Sequence, residues 1–313
     1  MHPPYTSLAL LDGMGSAIGD CVLGLQALKL LKRRHPALHL GLFRGDHRRA
    51  SDWFHQHSPV GPFHPIPKDT TTLLGFERVL DLRDVQSHED FYVRPIIDFF
   101  LRCLELNPES VHPDDKRPTW LNALPRAEGP LFLPNGQRYA LLNLASAAPA
   151  RAMPDRFAAR LARLLKARYP ELAVVFTGIT DARMSVLDPA HRCINGTGIL
   201  TSSEVWLAAL ADAELLITPD SAPYHLAEGV GARSLVFFTN VAPAARISDY
   251  WHAVGVDLDP HRAYSDWMER YAPEQLEGID QVWDRLPDDD LEHALAVALQ
   301  PLGGAETSPP LTT

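Results

Sequence analysis

Asp20 is the first residue in this chain whose setting offers chemistry. It follows Ala17-Ile18-Gly19, where a strand gives way to a helix. A carboxylate in the first turn of a helix has two readings. It caps or compensates the helix dipole, or it faces a substrate and takes a proton from a hydroxyl nucleophile. Gly19 beside it would admit close approach of a substrate to the backbone. Gly13, Gly15 and Gly19 nearly spell a dinucleotide fingerprint, but the third glycine comes one residue late. A carboxylate at Asp20 would also compete with a pyrophosphate for the helix N–H groups, so phosphate is not expected at this turn.

A second turn of the same kind lies two hundred residues on, at Asp220-Ser221-Ala222-Pro223. The backbone N–H groups of Ser221 and Ala222, together with the helix dipole, make an anion site. Pro223 costs nothing in the first turn, where its missing N–H would have no intrahelical partner. His225 follows one turn later and can face the same anion; the alternative is a plain cap with a packed histidine. Ser146 and Arg151 follow a strand over 139–144, so they are expected at the same carboxyl edge. Arg151 could fork onto two phosphate oxygens, and fixed donors of this kind stabilise a departing diphosphate.

The elements that must position these residues alternate between strand and helix. Strands are predicted over 7–11, 38–43 and 79–82, with helices over 18–34 and near 91–106. In the first helix Val22, Leu25, Leu28 and Leu31 recur at three-to-four spacing, and His35-Pro36 stops it. Residues 107–137 hold Pro108, Pro113, Pro118, Pro125, Pro130 and Pro134 and read as an inter-domain linker with a short hairpin or loop. The pattern then resumes, with strands over 139–144, 172–177, 215–218 and 234–238 and helices over 154–168, 202–211, 223–230 and 291–299. This is the rhythm of doubly wound parallel sheets. Two domains are expected, 1–125 and 126–300, followed by a disordered tail over 301–313.

The whole chain sets further bounds. Its 313 residues, 46% hydrophobic, suffice for two ordinary cores. A net charge of −10 argues against nucleic acid as a partner and against tight docking on an anionic membrane. No apolar run is long enough to cross a membrane, and the N-terminus lacks the pattern of a secretory signal. The expected localisation is cytoplasmic, with at most peripheral contact at the inner membrane. Cys21, Cys103 and Cys193 are few, odd in number and far apart, as reduced thiols would be. Among 14 histidines, His55, His57 and His88 form the best cluster, yet no HExxH motif or cysteine pair accompanies them, so no metal is expected. Arg83, Asp84, His88 and Arg94 follow the strand at 79–82; they line an acceptor side or form a salt-bridged loop. Trp251, Trp267 and Trp283 read as packing rather than sugar stacking.

Taken together, these segments resemble the heptosyltransferases of glycosyltransferase family 9. Gly19-Asp20 and a helix running to Leu28-Lys29 and His35-Pro36 look like the family's N-terminal motif. Val79-Leu80-Asp81-Leu82-Arg83 looks like the strand that opens its acceptor region. Arg151-Ala152-Met153-Pro154 followed by Phe157 looks like its basic-x-x-Pro motif, with Ser146 where the family has a hydroxyl residue. Residues 201–211 followed by Asp220-Ser221 and His225-Leu226-Ala227 look like its nucleotide motif.

The resemblance implies a GT-B α/β fold, two Rossmann-like domains facing each other across a cleft. It implies inverting, metal-independent transfer of a sugar, heptose from an ADP-linked donor, to a hydroxyl of lipopolysaccharide inner core or another glycan. Asp20 would be the general base, and Arg151 would act with it in catalysis. Ser146, Thr201, Asp220, Ser221, Ala222 and His225 would bind the donor. Gly19, Arg83 and His88 would lie on the acceptor side. No cofactor beyond the donor is implied. The chain departs from the family at Ala222, where glycine is usual, at Arg151, where lysine is commoner, and in the loop 238–243. Two other readings stay open. One is an NADP-dependent oxidoreductase with Arg44 reading the 2′-phosphate. The other is a non-catalytic nucleotide-binding relative of the same fold.

Overall fold

The computed structural model describes residues 5–12, 15, 17–45, 50–128, 133, 137–190, 192–262, 270–300 and 311–312. Expectations that fall on Gly13, Trp267, Pro130, Pro134 and most of the tail lie outside them. The chain divides into two compact units, Met1–Trp120 and Leu121–Thr313.

Unit 1 begins with β1 (Ser7–Leu11) and α1 (Ile18–Arg34), then β2 (His39–Arg44), α2 (Asp52–Gln56), β3 (His64–Pro65) and β4 (Arg78–Asp81). These strands form a parallel sheet in the order β3-β2-β1-β4. α1 carries Asp20 in its first turn and Lys32, Arg33 and Arg34 in its last, the charge order that suits the helix dipole. Its burial goes well beyond one stripe, because Leu23 and Leu30 are buried along with Val22, Leu25, Leu28 and Leu31. The helix expected near 91–106 is two helices, α3 (Asp90–Val93) and α4 (Ile96–Cys103). Pro95 is the cause: a residue before proline is driven out of the helical region, and Arg94 is extended at φ −109°, ψ 159°.

The first part of the expected linker belongs to unit 1. It forms a 3₁₀ turn (Pro108–Ser110) and α5 (Pro113–Lys116). Arg33 binds Asp115 through Nη1 at 2.8 Å, Lys116 pairs with Asp98 at 2.6 Å, and buried Trp120 donates Nε1–H to the Val22 carbonyl at 3.4 Å. The prolines here stiffen a cover over α1 rather than free the chain.

Unit 2 runs β5 (Tyr139–Asn143), α6 (Asp155–Arg168), β6 (Ala173–Thr177), α7 (Asp181–Leu187), β7 (Ile194–Asn195), α8 (Ser203–Asp212), β8 (Leu215–Pro219), α9 (Ala222–Val230), β9 (Ser234–Phe238), α10 (Ala244–Ile247), β10 (Ala253–Asp257), α11 (Pro273–Val282), α12 (Asp288–Leu299) and β11 (Leu311–Thr312). All strands are parallel, in the order β11-β10-β9-β8-β5-β6-β7. β5, β6, β8 and β9 are buried along their whole length, as strands covered on both faces must be. Trp283 is packing, as expected: it is buried, and its ring lies 4.9 Å from Phe157 and 5.7 Å from Phe237. Trp251 is instead exposed. Leu311 and Thr312 pair with Val256 and Asp257, so at these two residues the tail is a strand, not the disorder expected. Pairing there closes what would be an open sheet edge at β10.

Among the described residues no helix is long and apolar enough to cross a membrane.

Candidate active site

In unit 2 the chain enters the sheet at β5, adds β6 and β7 on one side, then crosses to β8, β9 and β10 on the other. The switch point therefore lies between the carboxyl ends of β5 and β8, where doubly wound sheets bind ligands. Ser146 and Arg151 follow the first of these strands, and Asp220, Ser221 and Ala222 follow the second.

The floor of this place is a buried polar cluster. Asn143 donates Nδ2–H to the Ala145 carbonyl at 2.8 Å, to Thr218 Oγ1 at 3.0 Å and to Ser221 Oγ at 3.3 Å. Its Oδ1 accepts from Thr177 Oγ1 at 3.3 Å. Gly178 closes the turn after β6 at φ +73°, and a Cβ there would sit 2.8 Å from Ala145 Cβ. Ser221 is the N-cap of α9 but makes no side-chain cap bond. Its hydroxyl turns inward, 2.8 Å from Thr218 Oγ1 and donating to the Pro219 carbonyl at 3.1 Å. Ser146 donates Oγ–H to the Asp220 carbonyl at 2.9 Å.

Asp220 is the hub of the site. Its side chain is 4% exposed. Oδ1 accepts from the Tyr224 hydroxyl at 2.9 Å, and Oδ2 accepts from Arg151 Nη1 at 3.2 Å. Arg246 approaches the same oxygen, Nε to Oδ2 at 3.8 Å. Burial by itself would push this carboxyl up; Arg151, Arg246 and the Tyr224 hydroxyl more than offset it and hold Asp220 below the usual carboxylate range. A carboxylate so enclosed serves to fix its partners. It fixes Arg151, the group with partial exposure to solvent, at 19%.

Of the two readings of His225, facing the anion or packing behind a plain cap, its surroundings are those of a packed histidine. Its ring is buried, its Nδ1 is hydrogen-bonded to the Tyr250 hydroxyl, and it lies 4.0 Å from the Tyr224 ring. Burial pushes its pKa down to about 3, with the Arg246 and Arg151 charges adding to the effect against the pull of Asp220 and Glu228. It is therefore neutral near pH 7 and orders the helix rather than supplying charge. Ala222 opens α9, half-buried. Thr201 is exposed, ahead of α8, with its N–H on the Ile199 carbonyl at 2.9 Å.

Sequence reasoning missed Arg246, Tyr224, Tyr250 and Asn143. The loop after β9 was singled out only as a departure from the family. Thr239 in that loop is buried and donates Oγ1–H to the Ala150 carbonyl at 3.0 Å, tying it to the turn that carries Arg151.

The carboxyl edge of the unit 1 sheet carries Asp20, half-buried in the first turn of α1. Gly15 makes the close approach there: φ is +86°, and a Cβ would fall 2.3 Å from Asp20 Cβ. Gly15 thus lies directly against the aspartate, as only glycine allows. The next residue, Cys21, is fully buried with Sγ 3.5 Å from His55 Nδ1. Burial pushes its thiol far above the usual range, against the pull of Arg44 and with Asp20 and Asp52 adding to the rise. Arg44 pairs with Asp52, a partner that a 2′-phosphate would have to displace. A cavity of about 420 Å³ opens beside it, lined by Arg44, Asp52, His55, Gln56, Phe63 and His64 among others.

The other expected acceptor-side residues follow β4. Arg83 is exposed and forks onto Asp81, Nε to Oδ1 at 2.8 Å, and His88 is exposed. Two of the three clustered histidines are tied down: His55 Nδ1 lies 3.0 Å from the Ser51 carbonyl, and His57 Nδ1 lies 2.9 Å from that of Trp53. Among the described residues no group of three or more histidine, cysteine or acidic side chains is placed to hold a metal ion.

No family model matches the sequence, and no curated protein sequence matches it either. Solved structures do. A family 9 glycosyl transferase from Veillonella parvula matches with a TM-score of 0.56 at 14% identity, over 90% of this chain and 98% of that one. ADP-heptose LPS heptosyltransferase II from E. coli matches with a TM-score of 0.57 at 12% identity, over 89% and 99%. The E. coli heptosyltransferase WaaC, solved with ADP-2-deoxy-2-fluoro heptose, gives 0.55 at 11%, over 93% and 99%. What this chain shares with them is the fold. Two α/β units, each on a parallel sheet, make the GT-B architecture of these glycosyltransferases.

Proposed function

We propose that this chain is a glycosyltransferase that moves a sugar from a nucleoside diphosphate to a hydroxyl acceptor. The observation that carries the reading is Arg151, held by buried Asp220 at the β5/β8 switch point, beside the opening turn of α9. A guanidinium and a helix N-terminus at one sheet edge are the groups that stabilise a leaving diphosphate. Ser146 and the Ser221 and Ala222 backbone complete this seat. Asp220, His225 and Tyr224 order it. Thr201 borders the nucleoside.

Asp20 takes the proton of the acceptor hydroxyl as that oxygen attacks the anomeric carbon and the bond to the diphosphate breaks, with inversion. The transition state has oxocarbenium character. The chain's own groups suffice for these steps without a metal. The similarity to structures of ADP-heptose transferases supports an ADP-linked heptose as donor and an inner-core or related glycan as acceptor. Gly19, Arg83 and His88 belong to the acceptor side, and so does the cavity beside Arg44.

The test is a calorimetric panel of ADP, UDP, GDP, CDP and NADPH without added metal. Binding of one nucleoside diphosphate is the expected result and selects the donor for transfer assays. Binding of NADPH alone overturns the reading in favour of an oxidoreductase. Binding of none overturns the reading, and binding with neither transfer nor donor hydrolysis marks the non-catalytic nucleotide-binding relative.

A further inference from the structure

Arg246 lies outside every motif that pointed to the site, yet it is buried against the site's central carboxylate. It sits on α10, a single helical turn. The peptide leading to it lies within 238–243, the segment that departs from the family pattern. Two contacts join this region to the Arg151 turn. Thr239 Oγ1 donates to the Ala150 carbonyl, and Arg246 shares Oδ2 of Asp220 with Arg151.

A buried guanidinium is costly to keep unless it meets an anion. Here one carboxylate oxygen serves two of them. The negative charge of Asp220 is thereby divided, and Arg151 is neutralised less than it would be in an exclusive pair. Tyr224 holds the other oxygen, so the carboxylate plane is fixed from both ends. Arg246 donates Nη1–H to the Ala245 carbonyl at 3.1 Å, which anchors its guanidinium to its own helix. At 5% side-chain exposure it is too enclosed to be a surface contact for a donor.

We infer that Arg246 is a positioning residue for the diphosphate seat, acting through Asp220 to aim Arg151 and to preserve its positive charge for the leaving group. This rests on the transferase reading given above. It also assigns a purpose to the unusual loop after β9: it delivers the second guanidinium and the Thr239 tether that hold the Arg151 turn.

The experiment is a binding cycle on the full chain, titrating ADP, UDP, GDP and CDP into the wild type, Arg246→Gln, Arg246→Lys, Asp220→Asn and the double variant Asp220→Asn/Arg246→Gln, with melting temperatures recorded alongside. Arg246→Gln is expected to weaken the nucleoside diphosphate bound by the wild type roughly tenfold or more, and Arg246→Lys to stay within about threefold. In the Asp220→Asn background the Arg246→Gln effect is expected to shrink below about threefold, because the two residues act as one unit. An equal loss in both backgrounds, or no loss in the single variant, overturns the inference while leaving the transferase reading standing. If Arg246→Gln does not fold, Arg246→Lys decides by the same cycle: a loss as large as that of Asp220→Asn overturns it. A wild type that binds no nucleoside diphosphate overturns the transferase reading, and this inference with it.

Discussion

The carboxyl edges of the two sheets are built differently. In unit 2 the charged groups are enclosed and mutually bonded. Asp220 is buried between Arg151, Arg246 and Tyr224, and His225 is neutral against Tyr250. In unit 1 Asp20 and the charged residues around the end of β4 are more open. Asp20 is half-buried, while Arg83 and Asp81 pair with side-chain exposures of 57% and 43%. A diphosphate is a common group that rewards fixed donors, since donors already in place need no reorganisation when charge develops. A proton acceptor must instead meet a substrate of particular shape, which a half-buried carboxylate can do and a fully enclosed one cannot. The difference teaches that, on the proposed reading, one edge holds charge and the other admits a partner.

Exchanging the carboxylate of Asp20 for an amide gives the largest expected effect. Asp20→Asn should lower the transfer rate by about 10²- to 10⁴-fold, the range for removal of a general base, with nucleotide affinity nearly unchanged. Loss of nucleotide affinity as well would erase the division between the two edges. Arg151→Ala is the counterpart. It should weaken nucleoside diphosphate binding roughly ten- to a hundredfold, as expected for loss of a charge-assisted hydrogen bond worth about 1.5–3 kcal/mol. Titration calorimetry reads it directly, and unchanged affinity would remove the seat from unit 2.

The acid response sharpens the comparison next. His225 has a folded pKa of about 3 against an ordinary value of 6.5. Between these values the unfolded chain binds a proton that the folded chain refuses, so stability falls as pH drops through this window. Asp220, with its lowered pKa, loses its contribution only as pH falls through its folded value, below the ordinary 3.8. The melting temperature should therefore decline from pH 6.5 downward, and His225→Gln should flatten the slope. An unchanged slope in that variant would show that the ring takes up its proton without opening the fold.

The smallest effect concerns Gly15. Gly15→Ala places a methyl group against Asp20 at a positive φ, with a strain of about 1–3 kcal/mol. A shift of Asp20 should lower the transfer rate more than the melting temperature would indicate. A normal rate would show that the loop yields without moving the carboxylate.

Much of the scaffold was legible from local pattern. Apolar spacing and the His35-Pro36 stop bound α1, and strand-then-helix alternation marked the turns that carry Asp20 and Asp220. Other features had readable local causes that pattern alone overrode. Pro95 broke a helix that its hydrophobic neighbours favoured. The prolines from 108 to 118, read as a linker, cover a helix buried well beyond one stripe. The close approach of Gly15 to Asp20 was not legible, because it rests on the positive φ of Gly15, which no spacing encodes.

The sequence by itself determined which residue types stand at the ends of β1, β5 and β8, since strand period, helix period and turn chemistry are local. Only the tertiary structure decided that Asp220 faces inward, that His225 is neutral, and that Arg246 joins Arg151 across one carboxylate. Those depend on burial and on charges brought together from residues far apart in the chain, and no local spacing encodes them.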